Sequence, residues 1–252
     1  MPPMTYRMFA AKHRGSRQEQ QDNMNASLPE RQHEIGVLCA LSDGMGGLTA
    51  GSRASLAVVE AMVDTFHRAP ATDAPAQILL QGCCLAQRKV QRLQKEVGET
   101  GATLVAVIVR DGRCSFLSVG DSRIYLFRDY ALIQLTRDQN KLSRVEKQIG
   151  LGRMPEEALS EHGLEALAAY IGMEDLNQAD RSSHSFAVYP GDRILLVSDG
   201  VYDTLTEQEM AEALMFPGQQ ACNTMIERVT AKLRPGQDNC SAAVVDCLAA
   251  TN

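Results

Sequence analysis

Acidic residues stand at the ends of apolar, strand-like runs at several points of this chain. Asp43-Gly44 and Asp199-Gly200 each end such a run. A carboxylate at the tip of a buried strand is costly unless it is paired or holds a cation. Three further motifs lie between a turn and an apolar run: Asp22-Asn23, Asp121-Ser122 and Asp238-Asn239. Hard oxygen ligands suit Mg²⁺ and Mn²⁺, so the pattern predicts a divalent-metal site built from carboxylates.

Asp-Gly is also the commonest signal of a tight hairpin turn. Asp111-Gly112, between two strand-like runs, is therefore interpreted as a turn only. Taken singly, Asp43 or Asp199 has the same simple interpretation. The metal hypothesis depends on their occurring together with the other acidic motifs.

Two other interpretations of these motifs fit the sequence less well. The segment Gly44-Met-Gly-Gly-Leu-Thr follows a strand, as a nucleotide-binding loop does, but it lacks the G-x-G-x-x-G spacing and the Walker lysine. A receiver domain also carries aspartates at strand ends. It requires strict alternation of strands and helices, which the strand-rich region 103–135 does not provide.

The hydrophobic periodicity predicts an α+β fold that positions these acids. Helices are expected at about 50–67, with Leu56 on the apolar face, and at about 76–97. Strands are expected in the following ranges: 35–42, 103–109, 114–119, 123–127, 132–135, 183–188, 193–197 and 241–247. Helices at about 207–214 and 219–233 separate the last two strands. We expect helices to cover packed antiparallel sheets in one domain, 1–252, with a mainly helical surface subregion, or flap, at about 141–172.

Composition excludes several classes of protein. The chain has 252 residues, of which 44% are hydrophobic, so a large core is expected and disorder is not. A net charge of −6 disfavours binding of nucleic acid or of an anionic membrane. Seven cysteines without a C-x-x-C pair do not indicate a disulfide framework or a zinc site. The N-terminus lacks a signal peptide and no run is long enough to span a bilayer, so we expect a cytoplasmic protein.

The motifs together resemble those of the PP2C-type (PPM family) metal-dependent protein serine/threonine phosphatases, in their bacterial branch. The motifs extend from residue 17 to residue 239, in family order and spacing. They are Arg17-Gln-Glu-Gln-Gln-Asp-Asn23, Asp43-Gly-Met-Gly-Gly47, Gly101-Ala-Thr103, Gly120-Asp-Ser-Arg123, Leu135-Thr-Arg-Asp138, Ser198-Asp-Gly200 and Gln237-Asp-Asn239.

The resemblance implies a four-layer α-β-β-α sandwich with a metal cluster at one end. By this likeness Asp43 bridges two Mn²⁺ or Mg²⁺ ions, and the Gly44 carbonyl binds one of them. Asp199 and Asp238 are then ligands of the other ion, and Asp22 holds a metal-bound water. Asp121, together with Asp199, would hold a third and weaker ion. Arg17 would clamp the substrate phosphate, which suits its planar, bidentate donor.

Paired cations lower the pKa of a bound water, so the implied reaction is hydrolysis of phosphoserine and phosphothreonine by an activated water. Three positions depart from the family pattern. Met45 stands where many eukaryotic members have a histidine proposed as general acid, Gln21 replaces an acid before Asp22, and Asp138 lacks its following histidine. A metal-bound water is then the expected proton donor, and Asp138 is not assigned to catalysis.

The partners that the resemblance implies are phosphorylated proteins and a bacterial Ser/Thr kinase whose action the enzyme reverses. We expect a monomer. The alternative is a catalytically weak regulatory or scaffold module of the same fold, although the matched acids and Arg17 are all present.

Overall fold

Two antiparallel sheets pack face to face, and helices cover both outer faces. The computed structural model describes residues 4–45, 49–160, 163, 166–176 and 179–250. The strands are β1 Met4–His13, β2 Asn23–Ala26, β3 Val37–Ser42, β4 Gly44–Met45, β5 Gly101–Ala102, β6 Leu104–Arg110, β7 Arg113–Val119, β8 Arg123–Arg128, β9 Ala131–Gln134, β10 Asp180–Arg181, β11 Phe186–Ala187, β12 Arg193–Val197 and β13 Cys240–Ala249. The helices are α1 Gln32–Ile35, α2 Thr49–Arg68, α3 Pro75–Val97, α4 Lys141–Gly150, α5 Asp199–Tyr202, α6 Glu207–Ala213 and α7 Gly218–Ala231, with 3₁₀ turns at Pro29–Arg31 and Glu156–Ser160.

Each sheet places strands distant in sequence side by side. The first sheet has the order β1-β13-β12-β8-β9, and the second has the order β10-β7-β6-β3-β2, with β11 also pairing with β7. In the first sheet Leu196 of β12 lies opposite Ala243 on one side and Ile124 on the other. A short ladder, β4 with β5, joins the segment after β3 to the start of β6.

The alternation of side chains along each strand builds three apolar layers. In β3, Val37, Cys39 and Leu41 face the first sheet, and this packing forms the central core. Leu38 and Ala40 of the same strand face the opposite way, toward α2 and α3. On the other side of the molecule, α6 and α7 cover the outer face of the first sheet. The predicted four-layer α+β sandwich is confirmed.

Two strands at sheet edges were not predicted. β1 lies at one edge of the first sheet and β2 at one edge of the second, and their residues are mostly exposed or half-buried. In β1, Met4, Tyr6 and Met8 do alternate with polar residues and contribute to the central core, so this strand was detectable but was missed. β2 has only four residues and is too short to show a pattern. The single strand predicted at 183–188 is instead two short ladders, at Asp180–Arg181 and Phe186–Ala187. Between them the hydroxyl of Ser182 accepts a hydrogen bond from Phe116 N at 3.2 Å.

The first long helix buries the face that was predicted, as Val59 and Phe66 show, except at Leu56. Leu56 is 44% exposed, whereas Ala54, Val58 and Met62 are buried. Gly82 of α3 allows the two helices to approach closely, because a Cβ on Gly82 would lie 2.7 Å from Met62 Sδ. The prediction for Leu56 was wrong because the buried face of α2 continues through Ala54 and Val58 and leaves Leu56 at its exposed edge.

The region 141–172 is less helical than expected. Among the residues of this region that the structure describes, 141–160, 163 and 166–172, α-helix covers Lys141–Gly150, where Asn140 caps it by accepting from Ser143 N at 2.9 Å. The later part returns to the sandwich through backbone hydrogen bonds, including Ala168 N to Gln139 O at 2.7 Å and Ile171 N to Ala102 O at 2.8 Å. Within the described residues, no helix is both long and apolar enough to traverse a bilayer.

Candidate metal centre

The two sheets bring four aspartates to the same end of the sandwich. In the second sheet Asp43 follows β3 directly and Asp22 immediately precedes β2. In the first sheet Asp199 stands at the end of β12 as the first residue of α5, and Asp238 lies just before β13. The carboxylates therefore come from neighbouring strand ends, which rigid ladders hold in place.

The same end of the sandwich also holds the other predicted residues. Asp121 lies in the turn that connects β7 in one sheet with β8 in the other, and Arg17 lies in the segment after β1. A cleft of about 430 Å³ opens here. Its lining includes Arg17, Asp43, Gly44, Asp121, Asp199 and Asp238. Asp22 is fully buried and is close enough to raise the pKa of both Asp43 and Asp199.

Backbone contacts fix the Asp43-Gly44 turn. Asp43 N donates to Thr103 Oγ1 at 2.9 Å, and Thr103 N donates to Asp43 O at 2.8 Å. Gly44 N donates to Gln21 O at 3.2 Å. A Cβ on Gly44 would lie 2.1 Å from Gly51 O at the start of α2, so only glycine fits this close approach.

Asn239 holds together the segments that carry Arg17 and Asp22. Its Nδ2 donates to Arg14 O at 2.7 Å and to Glu19 O at 3.0 Å, while its Oδ1 accepts from Gln21 N at 2.6 Å. The amide is buried, so it closes this loop without competition from water. Asn239 is thus a positioning residue for the cleft.

Burial and mutual repulsion raise the pKa of the clustered carboxyl groups. The pKa of Asp43 lies well above its usual range, first because of burial and then because of Asp22 and Asp199. The pKa of Asp199 is raised to about 8, first by burial and then by Asp121, Asp238 and Asp22. Burial also raises the pKa of Asp121 to about 6. Such a concentration of unneutralised acids is unfavourable unless a cation joins it.

The buried oxygens of the cluster fit a divalent cation. Among the described residues, Oδ1 of Asp22 and Oδ1 of Asp199 are buried and accept no hydrogen bond from the protein. Oδ2 of Asp22 accepts from Ser198 Oγ at 2.8 Å, which orients the carboxylate. Hard carboxylate oxygens with free lone pairs are the donors that Mg²⁺ and Mn²⁺ prefer.

The clustered aspartates of the described residues do not by themselves have the geometry of a complete metal site. Over the described ranges, no three His, Cys, Asp or Glu side chains already lie in the arrangement of a metal site. Asp238 instead accepts from Arg17 Nη2 at 2.6 Å and from Asn239 N at 2.8 Å.

Asp138, which the sequence left without a partner, pairs with Arg123. The guanidinium donates to both carboxylate oxygens, with a closest distance of 2.6 Å. It also stacks over the ring of Tyr202, with Cζ 3.6 Å from the ring centroid. Tyr202 in turn donates its hydroxyl to Asp121 O at 3.1 Å. Asp138 therefore supports the turn that carries Asp121 and does not line the cleft.

All of the predicted site residues lie at this end of the sandwich, but three positioning residues were missed. All three belong to the motifs quoted above, but no role was predicted for them. The signal for Ser198 and Asn239 was a hydroxyl or amide beside an acid near a strand end, whereas Thr103 has no acidic neighbour in the sequence. Gly46 and Gly47 of the second motif lie outside the described residues.

Comparison with known proteins identifies the family of this chain. A family model described as protein phosphatase 2C matches residues 10–235. The serine/threonine protein phosphatase PstP of Mycobacterium tuberculosis (strain ATCC 25618 / H37Rv) is 31% identical over 214 residues, which cover 83% of this chain and 40% of PstP. The serine/threonine phosphatase stp of Listeria monocytogenes (serotype 4b, strain F2365) is 28% identical over 217 residues, 82% of each chain.

A solved structure supports the same relationship. The catalytic domain of PstP, in complex with two manganese ions, superposes with a TM-score of 0.77 at 28% identity, over 98% of this chain and 100% of that one. The chain thus spans less than half of full-length PstP but all of its catalytic domain. The match to the family model extends from β1 to the segment before β13 and includes all but one of the clustered aspartates, Asp238. The chain therefore belongs to the protein phosphatase 2C family, as its motifs predicted.

Proposed function

We propose that this protein is a divalent-metal-dependent protein serine/threonine phosphatase. The observation that carries the proposal is the convergence of acids from both sheets with Arg17 in one cleft. The relatives are named as serine/threonine phosphatases, and the PstP catalytic domain is described with two manganese ions, which supports the same activity here.

We assign the residues of the cleft as follows. Asp43 and the Gly44 carbonyl would hold one Mn²⁺ or Mg²⁺ ion, and Asp43, Asp199 and Asp238 the other. Asp121 would share a third ion with Asp199. Asp22, buried behind Asp43, would orient a water of the cluster. When bound, the ions supply an activated water and neutralise charge on the phosphate.

Arg17 is suited to bind the substrate phosphate. It lines the cleft and remains protonated, because Asp238 raises its pKa further. Its side chain is 58% exposed, so its pair with Asp238 is weak enough to be exchanged for a phosphate. A guanidinium offers two parallel donors to phosphate oxygens and stabilises the charge that develops on them in the transition state.

Water is the proposed proton donor to the leaving oxygen of the serine or threonine. Met45, which lines the cleft, has no proton to give. Histidine is also absent from the described residues that line the cleft. The cleft is open to solvent, so water reaches the leaving group without a protein acid.

Phosphoproteins are the proposed substrates, and a bacterial Ser/Thr kinase and its targets are the proposed partners. We further propose that the chain forms a single domain, acts as a monomer and works in the cytoplasm. The bacterial phosphatases among its relatives support this setting. The net charge of −6 favours neither nucleic acid nor an anionic membrane as partner.

The experiment measures hydrolysis of p-nitrophenyl phosphate and of a phosphothreonine peptide during titration with Mn²⁺. Wild type should depend on Mn²⁺ and lose activity with excess chelator. Asp199→Asn should lower kcat/KM by at least about 10²-fold, because a fixed charge at the reacting centre is lost. Asp64→Asn removes a surface acid paired with Lys89 and is the matched control, expected to remain within about twofold of wild type.

Two results would contradict the proposal. Activity that survives full chelation would exclude a metal-dependent reaction. Little turnover at any Mn²⁺ concentration would instead indicate a regulatory or scaffold module of the same fold.

A further inference from the structure

A second cavity, of about 410 Å³, opens beside the metal cleft. Its described lining consists of Met45, Glu99, Thr100, Ala166, Leu167 and Tyr170, and we name it the side pocket. Met45 and Leu167 also line the metal cleft, so the two cavities share a wall. The side pocket is therefore within reach of a chain whose phosphate is bound in the metal cleft.

Hydrogen bonds hold the sandwich side of the side pocket in place. Thr100 Oγ1 donates to Met45 O at 2.9 Å, and Gln94 Nε2 donates to Thr100 O at 2.6 Å. The hydroxyl and the carbonyl of Thr100 therefore both have hydrogen-bond partners, and the Thr100 side chain is buried. The pocket floor thus exists before any ligand arrives, which lowers the entropy cost of binding.

The opposite wall comes from the returning part of the 141–172 region. Ala102 and Ile171 exchange two backbone hydrogen bonds, at 3.1 and 2.8 Å. The ring of Tyr170 packs against Gly101 so closely that a Cβ there would lie 2.4 Å from Tyr170 Cδ2. Lys141 N donates to Ala166 O at 2.9 Å, so Ala166 is fixed through its backbone.

The chemistry of the lining points to an apolar guest. Met45, Leu167 and Tyr170 offer large apolar or aromatic surfaces, with the Ala166 methyl beside them. Glu99 is the single charged residue in the described lining, and it is exposed at the rim. An apolar side chain gains by leaving water for such a cavity, whereas a carboxylate would meet the charge of Glu99.

We propose that the side pocket binds an apolar or aromatic side chain of the phosphoprotein substrate, close in sequence to the phosphorylated residue. The proposal rests on the phosphatase activity proposed above and adds a specificity determinant to it. Since a residue extends a chain by about 3.5 Å, the adjoining cavities place this side chain within about three residues of the phosphate.

The test uses phosphothreonine peptides in which each flanking position, from three residues before to three after, carries Ser, Leu or Asp in turn. With Mn²⁺, Leu at one of these positions should raise kcat/KM by about tenfold over Ser, and Asp there should lower it. Hydrolysis of p-nitrophenyl phosphate, which has no flanking residue, reports the activity of the metal centre independently.

Two variants link the preference to the side pocket. Ala166→Trp fills the cavity while keeping the backbone contacts, and it should abolish the preference for Leu without changing hydrolysis of p-nitrophenyl phosphate. Leu151→Trp adds the same side chain at an exposed position in the same region and should keep the preference. Glu99→Lys alters only the exposed rim, and it should convert the penalty for Asp into a gain.

The results distinguish failure of the side-pocket proposal from failure of the phosphatase proposal. If p-nitrophenyl phosphate is hydrolysed but Leu and Ser peptides stay within twofold at every position, the side-pocket proposal is overturned. A Leu preference that persists in a folded Ala166→Trp variant overturns it as well. If neither peptide nor p-nitrophenyl phosphate is hydrolysed with Mn²⁺, the phosphatase proposal itself fails.

Discussion

At the scale of single residues, Asp138 shows how an acid in a family motif can serve structure instead of chemistry. It binds Arg123 through both oxygens, and the two side chains are 13% and 23% exposed. Arg123 also contacts Tyr202, which supports the carbonyl of Asp121. The pair therefore links the connection between the two sheets to the edge of the metal cleft.

Replacing Asp138 by Asn should destabilise the protein by about 1–3 kcal/mol, because a mostly buried guanidinium loses its charged partner. Urea unfolding followed by circular dichroism measures this. Glu34→Gln removes the partner of Arg31 from an exposed ion pair and should change stability by less than about 1 kcal/mol. Equal effects of the two substitutions would show that the Arg123–Asp138 pair is not a structural link.

The sequence was sufficient to predict which acids gather, but not what holds them. Asp43 and Asp199 were identifiable because each ends an apolar strand. Thr103 and Asn239 act through backbone atoms of residues far away in the chain, such as Asp43 N and Gln21 N. Contacts of that kind arise from strand order, which spacing within a single sequence does not reveal.

At the scale of elements, periodicity succeeded for central strands and long helices and failed at the periphery. The strands β6 and β12 are buried on both faces and appear in the sequence as unbroken aliphatic runs. β1 lies at an edge, and its alternation of Met4, Tyr6 and Met8 with polar residues was overlooked because the apolar run from Phe9 to Ala11 interrupts it. In the described residues 166–171, backbone hydrogen bonds to other segments take the place of the helix that was predicted.

The element β5 anchors the end of the 141–172 region, and Gly101 makes this possible. Gly101→Ala would place a Cβ 2.4 Å from the Tyr170 ring and 2.9 Å from Ile171 O. We expect the segment around Tyr170 to detach while the sandwich stays folded. Limited proteolysis should then cut the 141–172 region at least about tenfold faster, since cleavage follows the population of the opened form.

Gly150→Ala is the matched control for this experiment. Gly150 ends α4, and a Cβ added there would meet no atom within 4 Å, so alanine favours the helix without a clash. Its cleavage rate should equal or fall below that of wild type. Equal cleavage of both variants would show that Tyr170 does not depend on Gly101.

At the scale of the whole molecule, the metal cleft concentrates negative charge where the two sheets meet. Asp22 and Asp43 come from the second sheet, and Asp199 and Asp238 from the first. Their raised pKa values show that burial and repulsion oppose ionisation of Asp22, Asp43 and Asp199. The fold therefore retains a destabilising cluster for which bound cations compensate, so function and stability conflict at this site.

Thermal unfolding should reveal this conflict. In chelator and above about pH 8, where the carboxyl of Asp199 is ionised, Asp199→Asn should melt above wild type, because one buried negative charge is removed. Each kcal/mol gained raises Tm by about 2–4 °C for a chain of this size. Mn²⁺ at about 100 times its Kd should stabilise wild type by about 2.7 kcal/mol, or roughly 5–10 °C, since it binds the folded state alone. The variant should gain much less from Mn²⁺, so the order of the two melting temperatures reverses.

Asp64→Asn, which removes an equal charge at the surface, should follow wild type in both conditions. Two results would contradict the assignment of Asp199 as a metal ligand: a variant that melts below wild type in chelator, or an equal rise of both melting temperatures with Mn²⁺. Either result would show that the role of Asp199 is structural.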